Sequence, residues 1–325
     1  VSDVKAVVIH EFGDASVLRI ADVDLPEASR TDVVIDVAAA GVNRADVQQR
    51  EGHYPPPPGS PQWPGLEVSG TIAAVGDDVT GFAVGDPVCA LIAGGGYAER
   101  VVVPAAQVLP VPDGVDLVDA AGLVEVVATV WANVFLWAEL TAGETLLAHG
   151  GSSGIGTMAV QLGRAFGARV AVTAGSREKL DACAALGADI LIDYKTEDFV
   201  ERMKAEGGAD VILDVVGASY LDRNVQSLAM NGRIANIGSM GGRSAEFNLG
   251  ALMAKRGTVH SAGLRARPPA EKAEVIASVR ENVWPLVANG TVRPVIGARF
   301  AMADAADAHR LMESSAHIGK ILLVN

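Results

Sequence analysis

Residues 146–161 read LLAHGGSSGIGTMAVQ: an apolar run, a cluster of small residues, then an apolar run again. Such a cluster is either an ordinary tight turn or a cradle for a phosphate, and its flanks decide between the two. ETLLAHG ahead of it reads as a strand ending at His149, and GTMAVQLGRAFG behind it reads as an amphipathic helix beginning near Ile155 or Gly156. Small residues between strand and helix let the backbone approach a pyrophosphate and let the helix pack on the strand. The N–H groups and dipole at the helix start favour that anion. The spacing, Gly151-x-x-Gly154-x-Gly156, is not GxGxxG, so the strand–turn–helix setting carries the reading rather than the spelling. Gly151, Ser152, Ser153, Gly154 and Ile155 are the expected phosphate contacts.

The units that follow repeat the grammar. ARVAVTAG reads as a strand, SREKLDACAALG as a helix, and ADILID, ADVILDVVG, GRIANIG and TVHSAGL as further strands. Alternation in short units is the pattern of a parallel doubly wound sheet, whose strand order is expected to follow the dinucleotide-binding arrangement. The end of the second strand chooses the nucleotide. An NAD site carries Asp or Glu there for the ribose hydroxyls. Here the tip is VTAGSREK: Ala174, Gly175 and Ser176 are small and neutral, and Arg177 and Lys179 follow. An acid would repel a 2′-phosphate, whereas Ser and Lys can bond it, so NADP(H) is expected, with Gly175, Ser176 and Lys179 as contacts. Arg177 reads equally well as a solvated helix-surface residue.

Working outward, residues 1 to about 120 read as short strands separated by Gly, Pro and Asp, which suggests a β-rich, barrel-like domain. After about 268, a helical stretch precedes two strands, VRPVIGARFAM and IGKILLVN, that flank the helix ADAADAHRLMES. This tail is expected to return to the first domain, making the parallel sheet an insertion and leaving a cleft between the two. The boundaries are set at 1–122, 123–267 and 268–325.

The 325 residues suit two domains, and half of them are hydrophobic. A net charge of −13 argues against nucleic acid as a partner. Two distant cysteines, Cys89 and Cys183, form no CxxC and suit a reducing, cytoplasmic setting as small buried hydrophobes. VSDVKAVVIH carries no apolar signal region. The most lipophilic segment, residues 120–140, is interrupted by Glu125 and Asn133 and reads as a buried core helix, so no membrane span is expected.

The segments AAAGVNRADVQQREGHYPPPPG, PGLEVSG, HGGSSGIGTMAVQL, VTAGSREKL, LGAD, LDVVG and HIGKILL, in that order along nearly the whole chain, resemble the zinc-free quinone oxidoreductase branch of the medium-chain dehydrogenase/reductase superfamily, relatives of zeta-crystallin. The resemblance implies an α/β fold: a GroES-like β-rich catalytic domain with an inserted Rossmann doubly wound parallel-sheet domain. It also implies a homodimer, through the edge strand near residues 258–263. Metal-dependent members carry a Cys where this chain has Asn43, a His where it has Leu66, and a four-cysteine loop that it lacks; Glu67 remains. Two lone thiols and six scattered histidines build no zinc site, so no metal is expected. The short-chain dehydrogenases need Tyr-x-x-x-Lys, and none of Tyr54, Tyr97, Tyr194 and Tyr220 has Lys four residues on.

An enzyme using NADPH without zinc or a Tyr/Lys pair suits electrophiles that accept hydride readily: quinones first, activated enones (enone or enoyl reduction) as the alternative. A nucleotide-binding structural or RNA-associated protein with little turnover is the reading from outside enzymology. By resemblance, Asn43 lies where the metal ligand is lost, close to nicotinamide and substrate, and its amide can donate to a carbonyl or anchor the cofactor. Tyr54, on a loop stiffened by the four prolines that follow it, offers a ring to stack or a hydroxyl to donate. Asn43 and Tyr54 are the catalytic candidates, and both also count as cofactor contacts. The resemblance further implies cofactor contacts from Thr129, Tyr194, Gly217, Gly238, Ser239, Met240, Leu264 and Arg265. Glu125 reads as a buried structural acid, and His149 as packed rather than catalytic.

Overall fold

The computed structural model describes residues 3–325. The chain divides into two units: the chain up to Ala128 together with Leu264–Asn325, and Thr129–Gly263 between them. The division falls inside the helix that follows residue 122, and it returns to the first unit ahead of residue 268.

The first unit begins with β1 (Asp3–Ile9) paired antiparallel to β2 (Leu18–Asp24). Next come β3 (Asp32–Val42), the short helix α1 (Arg44–Arg50), β4 (Glu67–Val75), β5 (Pro87–Leu91), β6 (Arg100–Pro104) and β7 (Val108–Pro110). β3 organises the sheet because it pairs with β4, with β6, and with a strand from the chain's far end. Along β3 buried and half-buried residues alternate, so one face is committed to the core.

The lipophilic segment after residue 118 is helical but not uniform. A 3₁₀ turn, Asp119–Gly122, leads into α2 (Val124–Val130), which widens into a π-helix, Trp131–Trp137. The run Asp119–Trp137 is long and apolar enough to cross a membrane by length and composition, yet 78% of that window is buried inside the protein, as a core helix would be.

The second unit alternates strand and helix: β8 (Thr145–His149), α3 (Gly154–Ala165), β9 (Arg169–Ala174), α4 (Arg177–Leu186), β10 (Ile190–Asp193), α5 (Phe199–Ala205), β11 (Ala209–Asp214), α6 (Leu221–Ser227), β12 (Leu228–Asn236), α7 (Leu249–Lys255) and β13 (Thr258–Ser261). The six strands lie parallel in the order β10-β9-β8-β11-β12-β13, the 3-2-1-4-5-6 order of a dinucleotide-binding sheet. The order reverses between β8 and β11, so the turns leaving those two strands flank the switch point where such sheets take ligands. β8 is buried along its whole length, as a central parallel strand must be.

The tail closes the first unit. α8 (Pro269–Asn282) and α9 (Trp284–Ala288) precede β14 (Ile296–Ala301), α10 (Ala305–Ser314) and β15 (Lys320–Val324). β14 and β15 are parallel, and β15 pairs antiparallel with the end of β3, Ile321 opposite Val42. With β14 and β15 the sheet of the first unit has seven strands.

Candidate active site

The glycine-rich turn is built by packing from below and left open above. A Cβ on Gly151 would lie 2.5 Å from the Cβ of Val172 on β9, so only glycine lets the turn settle on the sheet. Ser153 caps α3, its Oγ accepting from the Gly156 N–H at 3.0 Å. That cap starts the helix at Gly154, one residue ahead of the sequence expectation, because the capping serine rather than the first apolar residue sets the boundary. With Gly156 taken, the N–H groups of Gly154 and Ile155 belong to the first turn and find no acceptor among the described residues. Ser152 is buried beneath them. The turn has the form of an anion cradle.

His149 takes no part in it. Its ring sits within hydrogen-bond distance of Thr173 Oγ1 (3.1 Å) and Asn224 Oδ1 (2.8 Å) and packs edge-on to Phe199 and Tyr220. Burial lowers its proton affinity.

At the tip of β9, Ala174 is buried and Gly175 and Ser176 follow as the neutral pair expected. Ser176 caps α4, accepting from the Lys179 N–H at 3.4 Å. Arg177 points into solvent and pairs with Asp181 at 2.8 Å, which is the surface reading. Lys179 is half-buried. Tyr194, half exposed, leaves β10 alongside: a Cβ on Gly175 would stand 2.5 Å from its Oη.

On the other side of the switch point, the buried Asp214 carboxylate accepts from the N–H groups of Val216 (2.8 Å) and Gly217 (3.1 Å) and from Asn236 Nδ2 (3.1 Å). Gly241 N–H donates to Val216 O at 2.7 Å, which holds the turn containing Gly238, Ser239 and Met240 against Gly217. Met240 is largely exposed.

The first unit gathers the other candidates around α1. Asn43 stands at the start of that helix, its backbone N–H donating to Asp46 at 2.8 Å. Its amide Nδ2 donates to Glu67 Oε1 at 3.1 Å, and its Oδ1 accepts from Lys320 Nζ at 2.6 Å. Lys320 also pairs with Glu67 at 2.7 Å and donates to Val42 O at 3.0 Å, so all three ammonium hydrogens are placed. Glu67 Oε2 accepts from the Glu125 N–H at 3.0 Å. Glu67, Lys320 and Asn43 are all buried. Glu125 itself is half-buried rather than buried, because the face of α2 that carries it is less covered than its apolar neighbours.

At the far end of α1, Arg265 is buried, and its guanidinium donates to Ala93 O (2.7 Å), Tyr54 O (3.2 Å) and Gln49 Oε1 (2.6 Å). It also lies 5.1 Å from the centre of the Tyr54 ring. Arg265 therefore fixes the Tyr54 loop from within. Burial pushes the Tyr54 phenol up, which keeps its hydroxyl a donor near neutral pH. Leu264 is buried beside it in the chain; Thr129, buried in α2, is the first residue of the second unit.

The donor set at Asn43 does not suit a metal ion. The Leu66 side chain offers no ligand, and Asn43 Oδ1 and Glu67 Oε1 both already face the Lys320 ammonium, a cation supplied by the chain itself. Among the described residues no group of three or more His, Cys, Asp and Glu is placed to hold an ion. Sequence reasoning passed over Lys320 and Gln49. The signal for Lys320 was present in HIGKILL, a lysine opening an otherwise apolar strand, where a charge needs a buried partner.

Family comparisons agree with this geometry. The alcohol dehydrogenase GroES-like domain matches residues 29–113, and the zinc-binding dehydrogenase family matches residues 154–281. A quinone oxidoreductase of Rattus norvegicus is 32% identical over 98% of this chain and 97% of its own. Among solved structures, an Escherichia coli quinone oxidoreductase complexed with NADPH superposes with a TM-score of 0.85 at 26% identity, covering 99% of each chain. A mycobacterial protein complexed with NADPH superposes with a TM-score of 0.88 at 28% identity, over 99% of this chain and 100% of that one. With its β-rich unit and its parallel sheet, the chain belongs to the zinc-free quinone oxidoreductase branch of the medium-chain dehydrogenase/reductase superfamily.

Proposed function

We propose that this protein reduces quinones with NADPH, by hydride transfer and without a metal. The observation that carries the reading is the pairing of an open anion cradle at Gly154 and Ile155 with a carboxylate-free tip at Gly175 and Ser176. The relatives supply the substrate class: the rat protein is named a quinone oxidoreductase, and the E. coli structure holds NADPH.

NADPH, when bound, supplies the hydride; the chain's residues hold and orient. The N–H groups of Gly154 and Ile155 and the dipole of α3 take the pyrophosphate, with Gly151, Ser152 and Ser153 shaping the turn. Ser176, Lys179 and Tyr194 take the 2′-phosphate, beside Gly175. For the nicotinamide half the contacts are Thr129, Gly217, Gly238, Ser239 and Met240 of the second unit, and Leu264 and Arg265 of the first. Asn43 is held by Glu67 and Lys320; its second amide hydrogen, only loosely engaged by Gly41 O at 3.4 Å, is the donor for a substrate carbonyl. Tyr54, fixed by Arg265, gives the substrate a ring face and a protonated hydroxyl. We further propose a homodimer joined at β13, the edge strand of the parallel sheet. Cys89 and Cys183 are free, buried thiols, which supports a reducing, cytoplasmic setting.

The test is stopped-flow oxidation of NADPH and NADH against a quinone panel and an enone panel. Quinone turnover with NADPH favoured is expected, and Asn43→Ala should lower kcat/KM about tenfold, the loss of one oriented hydrogen bond. Turnover of enones alone would move the protein to enone reduction. Tight NADPH binding with no electrophile reduced would favour a non-enzymatic role.

A further inference from the structure

The chain leaving β10 passes the tip of β9, because the two strands are parallel neighbours with Asp193 level with Ala174. Two consecutive residues of that turn close over Gly175. A Cβ on Gly175 would stand 2.5 Å from Tyr194 Oη and 3.2 Å from Lys195 Cε. Both side chains are exposed, and neither Tyr194 Oη nor Lys195 Nζ has a hydrogen-bond or ion-pair partner among the described residues. Of the two cations that α4 brings to this tip, Arg177 is committed to Asp181 and Lys179 is half-buried.

The acids of the turn are turned onto backbone. Asp193 Oδ1 accepts from the Lys195 N–H at 3.0 Å, and Glu197 Oε1 accepts from the Asp193 N–H at 3.1 Å. A hydroxyl donor and an uncommitted ammonium therefore stand side by side where a nucleotide lying over Gly175 would place its adenosine phosphate. Two donors of this kind suit a phosphate dianion better than a ribose diol.

We propose that Lys195 is a specificity residue for the 2′-phosphate, acting with Tyr194 across Gly175, so that the phosphate is held from the β10 turn as well as from α4. This rests on the NADPH reading above. Sequence reasoning reached Tyr194 by resemblance and passed over Lys195, the next residue, which the parallel pairing brings back to the same tip.

The test is equilibrium binding by calorimetry, with 2′,5′-ADP and 5′-ADP as probes and NADPH and NADH alongside. Lys195→Ala should weaken 2′,5′-ADP about fivefold to tenfold, the loss of one charge-assisted contact at an exposed site, while 5′-ADP binding stays within about twofold. Lys195→Arg should keep the preference and Lys195→Glu should reduce it further. Added salt should narrow the gap between wild type and Lys195→Ala. A wild-type preference for 2′,5′-ADP that survives in Lys195→Ala overturns the proposal. A wild type that does not distinguish the two probes overturns the NADPH reading itself. Unchanged 5′-ADP binding shows that each variant is folded.

Discussion

Lys320, Glu67 and Asn43 form the most tightly committed polar group near the candidate site. A buried ion pair is weak evidence for stability but strongly penalised when half of it is removed. Lys320→Met leaves the Glu67 carboxylate in the core without its ammonium, and should lower unfolding free energy by about 3–5 kcal/mol in urea titration. Adding Glu67→Gln should recover a large part of that loss, since the uncompensated charge is then gone. If the single variant is as stable as wild type, the pair is not the closed unit described here. Asn43 and Glu67 were legible as residue types and Lys320 was not. Its partners lie on β3, on β4 and at the start of α1, and only the antiparallel pairing of β15 with β3 brings it to them.

Among the elements, α2 shows what periodicity can and cannot carry. An apolar segment predicts a buried helix, and one is present; its widening into a π-helix is a matter of side-chain bonding. Asn133 Nδ2 donates to Thr129 O at 2.9 Å, intruding on the carbonyl that an α-helical N–H would use, and the Ala138 N–H reaches back to Asn133 O. Trp131 stacks on Phe135, ring centres 4.9 Å apart, and both rest on Phe166. β13 poses a different question, since an edge strand exposes unpaired backbone groups. Just ahead of it, α7 presents Leu249 and Met253, both largely exposed and one helical turn apart. The proposed homodimer covers this edge. Sedimentation velocity at micromolar concentration should give twice the 33.5 kDa chain mass, and Leu249→Glu with Met253→Glu should shift the protein toward monomer. A wild-type monomer would end that proposal.

Over the molecule as a whole, a polar chain, buried except at Glu313, ties the returning tail to the N-terminal part of the first unit. Tyr97 Oη lies 3.2 Å from Asp46 Oδ2 and 3.2 Å from His309 Nε2, and Arg50 pairs with Glu313 at 2.7 Å. His309 and Glu313 lie on α10, the others on the N-terminal segment. Burial and the neighbouring Arg50 guanidinium hold His309 down at about 3, against 6.5 in the unfolded chain. Between those values the unfolded chain binds a proton that the folded one refuses, so stability falls as pH drops below about 6.5, by up to about 1.4 kcal/mol per pH unit from this group. His149, also lowered by burial, acts in the same direction. Urea midpoints at pH 7.5 and pH 5 should show the decline, and His309→Gln should flatten it; an unchanged slope in that variant would remove His309 as its source.

The amino-acid sequence by itself determined the alternation of strand and helix, the glycine-rich turn between them, the neutral end of the second strand and the loss of the metal ligands. Each of these is local, written in residues that lie near one another along the chain. The tertiary structure alone decided which distant groups meet: Lys320 with Glu67, Arg265 with the Tyr54 loop, Lys195 with Gly175, and α10 with Tyr97. Such partners are chosen by strand pairing and burial, and a buried charge or donor is satisfied only by what the fold brings within about 3 Å of it.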